Sequence, residues 1–414
     1  MNINNKINLS KMIKRQFKIR LLLLLGLVCT IATTSIGQSK SISLDEALSI
    51  ARKNYAGLER DRLAVDQQNK LAEAGLPPQP TQLYLSGEEF GVNDQSGIHS
   101  INVQQNFYLP KAAKAQRAFY KQGAAVAKQQ LALTDQELKR QVGQAYYQLL
   151  YAKQEQELVA QNVVLYNNFL SVTTAQLETG ETGRIPQLAA RSRLGQAQLE
   201  QEHAIEKYQI ASTLFNQWLQ SDTLYDVQGE LLPGSDFSSD STVQNNPHLQ
   251  IIEAQRELAI ANVETRKVQL LPQINSGFKL QTASGNFPLF GYQLGVNVPL
   301  FKKAYRGRIE AAEVGVKVQE ADLKAKEQEL ERRISELRYR IEHQQHILKY
   351  LQQDLTPIVN EQSEVNQSAY GEGEISYLEY LDGLEQVVKV KQQYLTALYK
   401  FNAFRVELDY WLGK

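Results

Sequence analysis

Residue types that do covalent or metal chemistry are scarce in this chain of 414 residues, which holds five histidines and one cysteine. His343 and His346 stand three apart, a spacing at which two imidazoles on one helix face could share a metal ion. They flank an apolar seam instead of lining a pocket, so a solvated helix face accounts for them. There is no phosphate-binding glycine loop, HExxH motif, nucleophile elbow or cysteine–histidine pair. Carboxylates alternate with Lys and Arg along helical stretches, as on the exterior of a coiled coil. The sequence therefore predicts no enzyme, no catalytic residue, no cofactor and no metal site. What is left to bind or pass solutes are two glycine turns, TGETGRI (Thr179–Ile185) and YGEGEIS (Tyr370–Ser376), and strands with one wet face.

The elements that position those turns are long helices. No proline occurs between Pro110 and Pro186. Leu138, Val142, Ala145, Leu149, Ala152, Gln156, Val159, Val163, Tyr166, Leu170, Thr173 and Leu177 keep a strict 4-3 spacing. Leu330, Ile334, Leu337, Ile341, Gln344, Leu348, Leu351 and Leu355 repeat it, which is a coiled-coil seam. A helix over residues 112–177 would be roughly 100 Å long at 1.5 Å per residue. At each glycine turn the helix stops and a second one returns, giving an antiparallel hairpin. Positive φ is expected at Gly183 and Gly373. Ser376-Tyr377-Leu378-Glu379 is a capping box for the returning helix, as Ser43-Leu44-Asp45-Glu46 is for the first. Pro357 inside the second long helix predicts a kink.

The strands interrupt this helical pattern. In SINVQQNFYLP, Ser100, Asn102, Gln104 and Asn106 fall on one side of an extended chain. Ile101, Val103, Phe107 and Leu109 fall on the other, with Gln105 a misfit. Residues 292–300 alternate the same way, as do 274–281, and TQLYLSGEEF less cleanly. Lengths of nine to eleven residues, mostly uncharged wet faces and terminal aromatics (Phe107, Tyr108, Phe287, Phe290, Tyr292, Phe301) are those of tilted transmembrane strands. Four strands cannot close a barrel, and an open edge in lipid leaves backbone groups unpaired. Two or more chains are then required, and twelve strands need three.

Matching punctuation shows that one unit is written twice. Asn54 matches Asn246 and Pro80 matches Pro272 at 192 residues, Lys111 matches Lys302 at 191, and Trp218 matches Trp411 at 193. The chain divides into residues 1–37, a first repeat over 38–220, a linker over 221–244 with room for one short strand, and a second repeat over 245–414. Residues 1–37 read as an export signal: six basic residues and no acid, an apolar run over 21–31, and small residues Ser35 and Gly37 at the cleavage point. The signal holds six of the 45 basic residues and none of the 45 acidic ones, leaving the mature chain at −6. That balance argues against nucleic acid as a partner. Cys29 lies in the signal, after Val28, a poor lipoprotein cleavage context, and no later segment is apolar enough for a transmembrane helix.

This ordered, duplicated set resembles the TolC family of outer-membrane efflux ducts, through SLDEAL, NVPLFKKAYRGRIEAA and YGEGEISYLEYLDGLEQ. The resemblance implies a mostly α chain with a transmembrane β-barrel: a homotrimer with a twelve-stranded barrel in outer-membrane lipid and a coiled-coil tunnel crossing the periplasm. It implies that the tips, Gly180, Glu181, Thr182, Gly183, Gly371, Glu372, Gly373 and Glu374, contact a periplasmic membrane fusion (adaptor) protein. An inner-membrane RND-type pump would supply the energy. Glu379 and Asp382 match the positions of acidic rings at the tunnel gate, while Ala189 and Ser192 stand at the corresponding first-repeat places. In length the chain is closest to the heavy-metal cation efflux branch, with metal cations or drugs as cargo. A soluble periplasmic coiled-coil adaptor or scaffold, and a type I protein secretion duct, are the alternative readings.

Overall fold

Sixty-nine consecutive residues without a breaker form one helix in the computed structural model, which describes residues 40–88, 97–233, 246–283 and 286–414. This helix, α3 (Pro110–Glu178), starts with proline at its first turn and ends just before Gly180, as the glycine turn requires. The elements before it are β1 (Lys40–Ile42), α1 (Leu44–Asn54), α2 (Ala56–Ala74), β2 (Gln82–Glu88) and β3 (Ile98–Phe107). After it come α4 (Arg184–Leu219), β4 (Tyr225–Val227), α5 (Pro247–Lys267), β5 (Gln273–Ala283) and β6 (Asn286–Asn297). The chain ends with α6 (Lys303–Tyr350), a π-helical turn (Leu351–Leu355), α7 (Thr356–Gly371) and α8 (Tyr377–Leu412). The export signal lies outside the described residues.

The first helix does not run unbroken from Ser43 to the prolines. It breaks at Tyr55, whose ψ of 111° is extended. Tertiary hydrogen bonds hold the break open: Asn54 Nδ2 donates to the Leu219 carbonyl (3.1 Å), and Gln220 Oε1 accepts from Ala56 N (3.3 Å). In the second copy Asn246 Nδ2 donates to the Trp411 carbonyl (2.6 Å). The repeat proper thus begins at α2 and α5, and Leu219, not Trp218, is the counterpart of Trp411. Helix α1 is an addition to the first copy.

Pro357 has no N–H to give the carbonyl four residues back, and its ring would strike it. The helix accommodates this by widening one turn to π geometry at Leu351–Leu355 and resuming as α7.

Two cores lie along the hairpins. The larger surrounds the short parallel pair β1–β4, with Ile42, Val227, Leu149, Phe215, Leu219, Phe401 and Leu408 all essentially inaccessible. Each such side chain contributes about 1.5–3 kcal/mol of burial. The segment 221–244 is therefore more than a linker, because β4 zips to β1 and Tyr146 Oη donates to the Gln228 carbonyl (2.5 Å). The second core, near the tips, joins Phe169, Ala190, Ala197, Tyr370, Leu381 and Leu384. On α4 the buried face is alanine at strict sevens, Ala190, Ala197, Ala204 and Ala211, which lets α3 and α4 approach closely.

Candidate functional site: sheet wall and hairpin tips

The four long strands form one antiparallel sheet in the order β2-β3-β5-β6, so the two repeats join at β3–β5. Register puts Leu83 and Leu85 beside Val103 and Ile101, these beside Phe278 and Leu280, and those beside Tyr292 and Phe290. That face is apolar across all four strands and open, Phe290 being 77% and Tyr292 80% exposed. The other face is concave and polar, with a hollow lined by Tyr84, Ser86, Asn102, Gln104, Gln281 and Gln293. Its side chains bond across strands: Asn102 Nδ2 donates to Ser86 Oγ (3.0 Å) and Asn275 Nδ2 to Asn106 Oδ1 (2.9 Å). The misfit Gln105 sits opposite Ser276 on the apolar face, near the end where the helices begin. Its Nε2 donates to the Gln79 carbonyl (2.7 Å) and its Oε1 accepts from Thr81 Oγ1 (2.5 Å). It interrupts the apolar face on β3, which resumes at Phe107, Ile274 and Val296.

The strand segments expected from the sequence are all present, including the weak one at β2. Among the described residues β2 and β6 each have one unpaired edge. A soluble sheet would solvate those edges; a sheet with one dry face in lipid needs another chain to pair them.

At the far end of the hairpins the two tips have the same backbone. Glu181 N donates to the Gln176 carbonyl (2.9 Å) and Gly180 N to the Leu177 carbonyl (3.2 Å). Glu374 N donates to Ala369 (2.8 Å) and Gly373 N to Tyr370 (3.2 Å), the same Schellman closure 193 residues on. Gly180 and Gly373 carry the positive φ, 77° and 75°. The expectation of positive φ at Gly183 is incorrect: at φ −81°, ψ −177° it is the extended N-cap of α4, the counterpart of Ser376. Gly371 is the last residue of α7, one position before the turn proper. Thr182 N also donates to the Gln176 carbonyl (3.2 Å), and Glu372 Oε1 accepts from Ser368 Oγ (3.2 Å). Glu181, Glu372 and Glu374 are exposed.

Glu379 and Asp382 are both exposed, one turn apart at the start of α8. Glu379 completes the capping box: its Oε2 accepts from Ser376 N (2.7 Å) and Oγ (2.8 Å), and the backbone bond holds its carboxyl below the usual range. Asp382 Oδ2 accepts from Gln386 Nε2 (2.8 Å). With the tips 193 apart, their first-repeat counterparts are Pro186 and Ala189, three residues before the pair Ala189 and Ser192 expected from sequence. His343 and His346 line a shallow groove between α6 and α8, and no metal-binding cluster exists among the described residues.

The sequence reading missed the ties within and between hairpins. Tyr370 Oη donates to Gln176 Oε1 (2.8 Å), Tyr370 stacks on Tyr380 at 4.7 Å, and Arg193 pairs with Glu385 at 2.6 Å. Higher up, the buried Glu155 accepts from Lys207 (3.1 Å), Tyr151 (3.1 Å) and Gln392 (3.2 Å), tying α3, α4 and α8. The aromatic density of YGEGEISYLEY was the available signal.

Residues 239–414, which include the second repeat, match the family model Outer membrane efflux protein. No curated protein sequence matches the chain. Solved structures match across both repeats. A membrane protein from Pseudomonas aeruginosa is 16% identical with a TM-score of 0.76, covering 90% of this chain and 91% of its own. The outer membrane channel CmeC of Campylobacter jejuni is 13% identical at 0.74, covering 92% and 90%. The open state of the MtrE outer membrane channel of Neisseria gonorrhoeae is 14% identical at 0.73, covering 92% and 93%. The second half of the chain is thus similar to the outer membrane efflux protein family, and the whole chain has the fold of these solved outer membrane channels.

Proposed function

We propose that three copies of this chain form a passive exit duct in the outer membrane, through which an inner-membrane pump discharges solutes by way of a periplasmic adaptor. The carrying observation is a sheet, dry outside and wet inside with two unpaired edges, that runs directly into helices about 100 Å long. Twelve strands from three chains close the edges, and the polar concave faces then line the lumen. Nothing in the duct needs catalysis. On this reading residues 38–220 and 245–414 carry two copies of one wall unit, the first preceded by β1 and α1, and the β1–β4 belt joins them.

The tips, Gly180–Gly183 and Gly371–Glu374, present the adaptor with six near-equivalent loops per trimer. Their likeness extends to exposed apolar side chains 193 residues apart, Val172 with Val365 and Ile185 with Leu378. The exposed carboxylates of Glu379 and Asp382 gather at the tunnel mouth and favour cationic cargo, heavy-metal ions among it. Fractionation tests the membrane reading. The protein is expected to stay with outer membranes through salt and carbonate washes and to leave only with detergent. Release by carbonate alone would instead support a soluble periplasmic scaffold.

A further inference from the structure

The junction between sheet and helices carries a surface that solute conduction does not use. On β6 the apolar row Phe290, Tyr292, Leu294 and Val296 continues past the strand as Val298 and Leu300, and Phe301 follows. Leu300 is 80% and Phe301 89% exposed. The next residues include Lys302, Lys303 and Arg306, all exposed. The first repeat has the same order, Phe107 and Leu109 and then Lys111 and Lys114. None of these five cations forms an ion pair among the described residues, and no Asp or Glu occurs over residues 97–134.

These cations also stand where their own helices disfavour them. The N-termini of α3 and α6 present the positive end of the helix dipole. Neither helix has an acid in its first turn or a side-chain cap, whereas α1 and α8 have complete capping boxes. Positive charge is placed on positive ends in both repeats. No acid pairs with these cations among the described residues, so an external anion is the natural counterpart. The position names it, since the cations lie just beyond the apolar band, at headgroup depth.

We propose that Leu300, Phe301, Lys302, Lys303 and Arg306, with Lys111 and Lys114 of the other repeat, bind anionic phospholipid in the periplasm-facing leaflet of the outer membrane. The ammonium and guanidinium groups donate to the phosphate oxygens, and the acyl chains lie against Leu300 and Phe301. This rests on reading the sheet as a membrane wall, and the test separates the two claims. The full-length protein, purified in mild detergent, is offered an equimolar mixture of dioleoylphosphatidylglycerol and dioleoylphosphatidylcholine, and retained lipid is measured by native mass spectrometry. A cation at an anionic surface contributes about fivefold. Wild type should therefore retain phosphatidylglycerol over phosphatidylcholine by at least about tenfold. K302Q/K303Q/R306Q should lose most of that preference while assembling and conducting normally. K111Q/K114Q should lose a smaller part. Equal retention by a wild-type protein that inserts and conducts would overturn the lipid site alone, as would undiminished preference in both variants. A protein that neither inserts nor conducts would overturn the membrane reading itself.

Discussion

Gly180 and Gly373 take the one backbone conformation at each tip that other residues rarely adopt, and a Cβ at either would meet nothing within 4 Å. A β-branched residue there strains only the turn, by about 1–3 kcal/mol, and long seams can absorb that. Gly180→Val with Gly373→Val should leave outer-membrane trimer levels normal and abolish efflux in a drug- or metal-tolerance assay. Gly183→Val, at an extended position, should be close to silent; the reverse ranking would sink the tip assignment. The sequence located both turns and the left-handed Gly373, but took Gly183 for Gly180 at the first tip, because the position is counted from the last helical carbonyl. At Glu379 the observed helix cap and the proposed gate charge fall on one side chain, and substitution can part them. Gln also completes a capping box, so Glu379→Gln with Asp382→Asn removes charge while keeping the helix start. In planar bilayers that variant should lose cation selectivity; an unchanged reversal potential would reduce Glu379 to a cap.

Elements in this chain are joined by a few buried polar ties that periodicity cannot show. The seams of α3 and α6 were legible because leucine and valine at 4-3 spacing have no other use. The alanine seam of α4 was not, since alanine is common on every helix face. Asn54 and Asn246 were visible as matched punctuation, yet their bonds to the carbonyls of Leu219 and Trp411 set where each repeat starts. Asn246 is buried and also caps α5 through His248 N (2.9 Å), so Asn246→Ala should cost about 1–3 kcal/mol, read as a lowered Tm in detergent. Beside it His248 is buried against Trp411, its Nε2 without a hydrogen-bond partner. Burial, with Lys326 nearby, lowers its pKa to about 4. The unfolded chain takes up this proton near pH 6.5 and the folded chain only near 4, so stability falls as pH drops across that window and then levels. His248→Phe should flatten the decline of Tm between pH 6.5 and 4. An unchanged slope would place the acid sensitivity elsewhere.

For the whole molecule, the wet-and-dry alternation of the strands, clean in three and weak in β2, decided the reading, and the sheet sorts those residues face by face. Alternation is a local signal with a period of two residues, so it survives in the sequence. Pairing between β3 and β5 spans the repeats and depends on both hairpins folding back, which no short window contains. Closure is the part that one chain cannot hold: β2 and β6 keep open edges, and the account requires two further copies to pair them. The most direct test is conductance against stoichiometry. Purified protein is crosslinked, separated by size and reconstituted species by species into planar bilayers. Crosslinking should stop at three chains, and only the three-chain species should give discrete single-channel steps. Conducting single chains, or a crosslinked trimer that never conducts, would contradict a duct walled by three copies of this sheet.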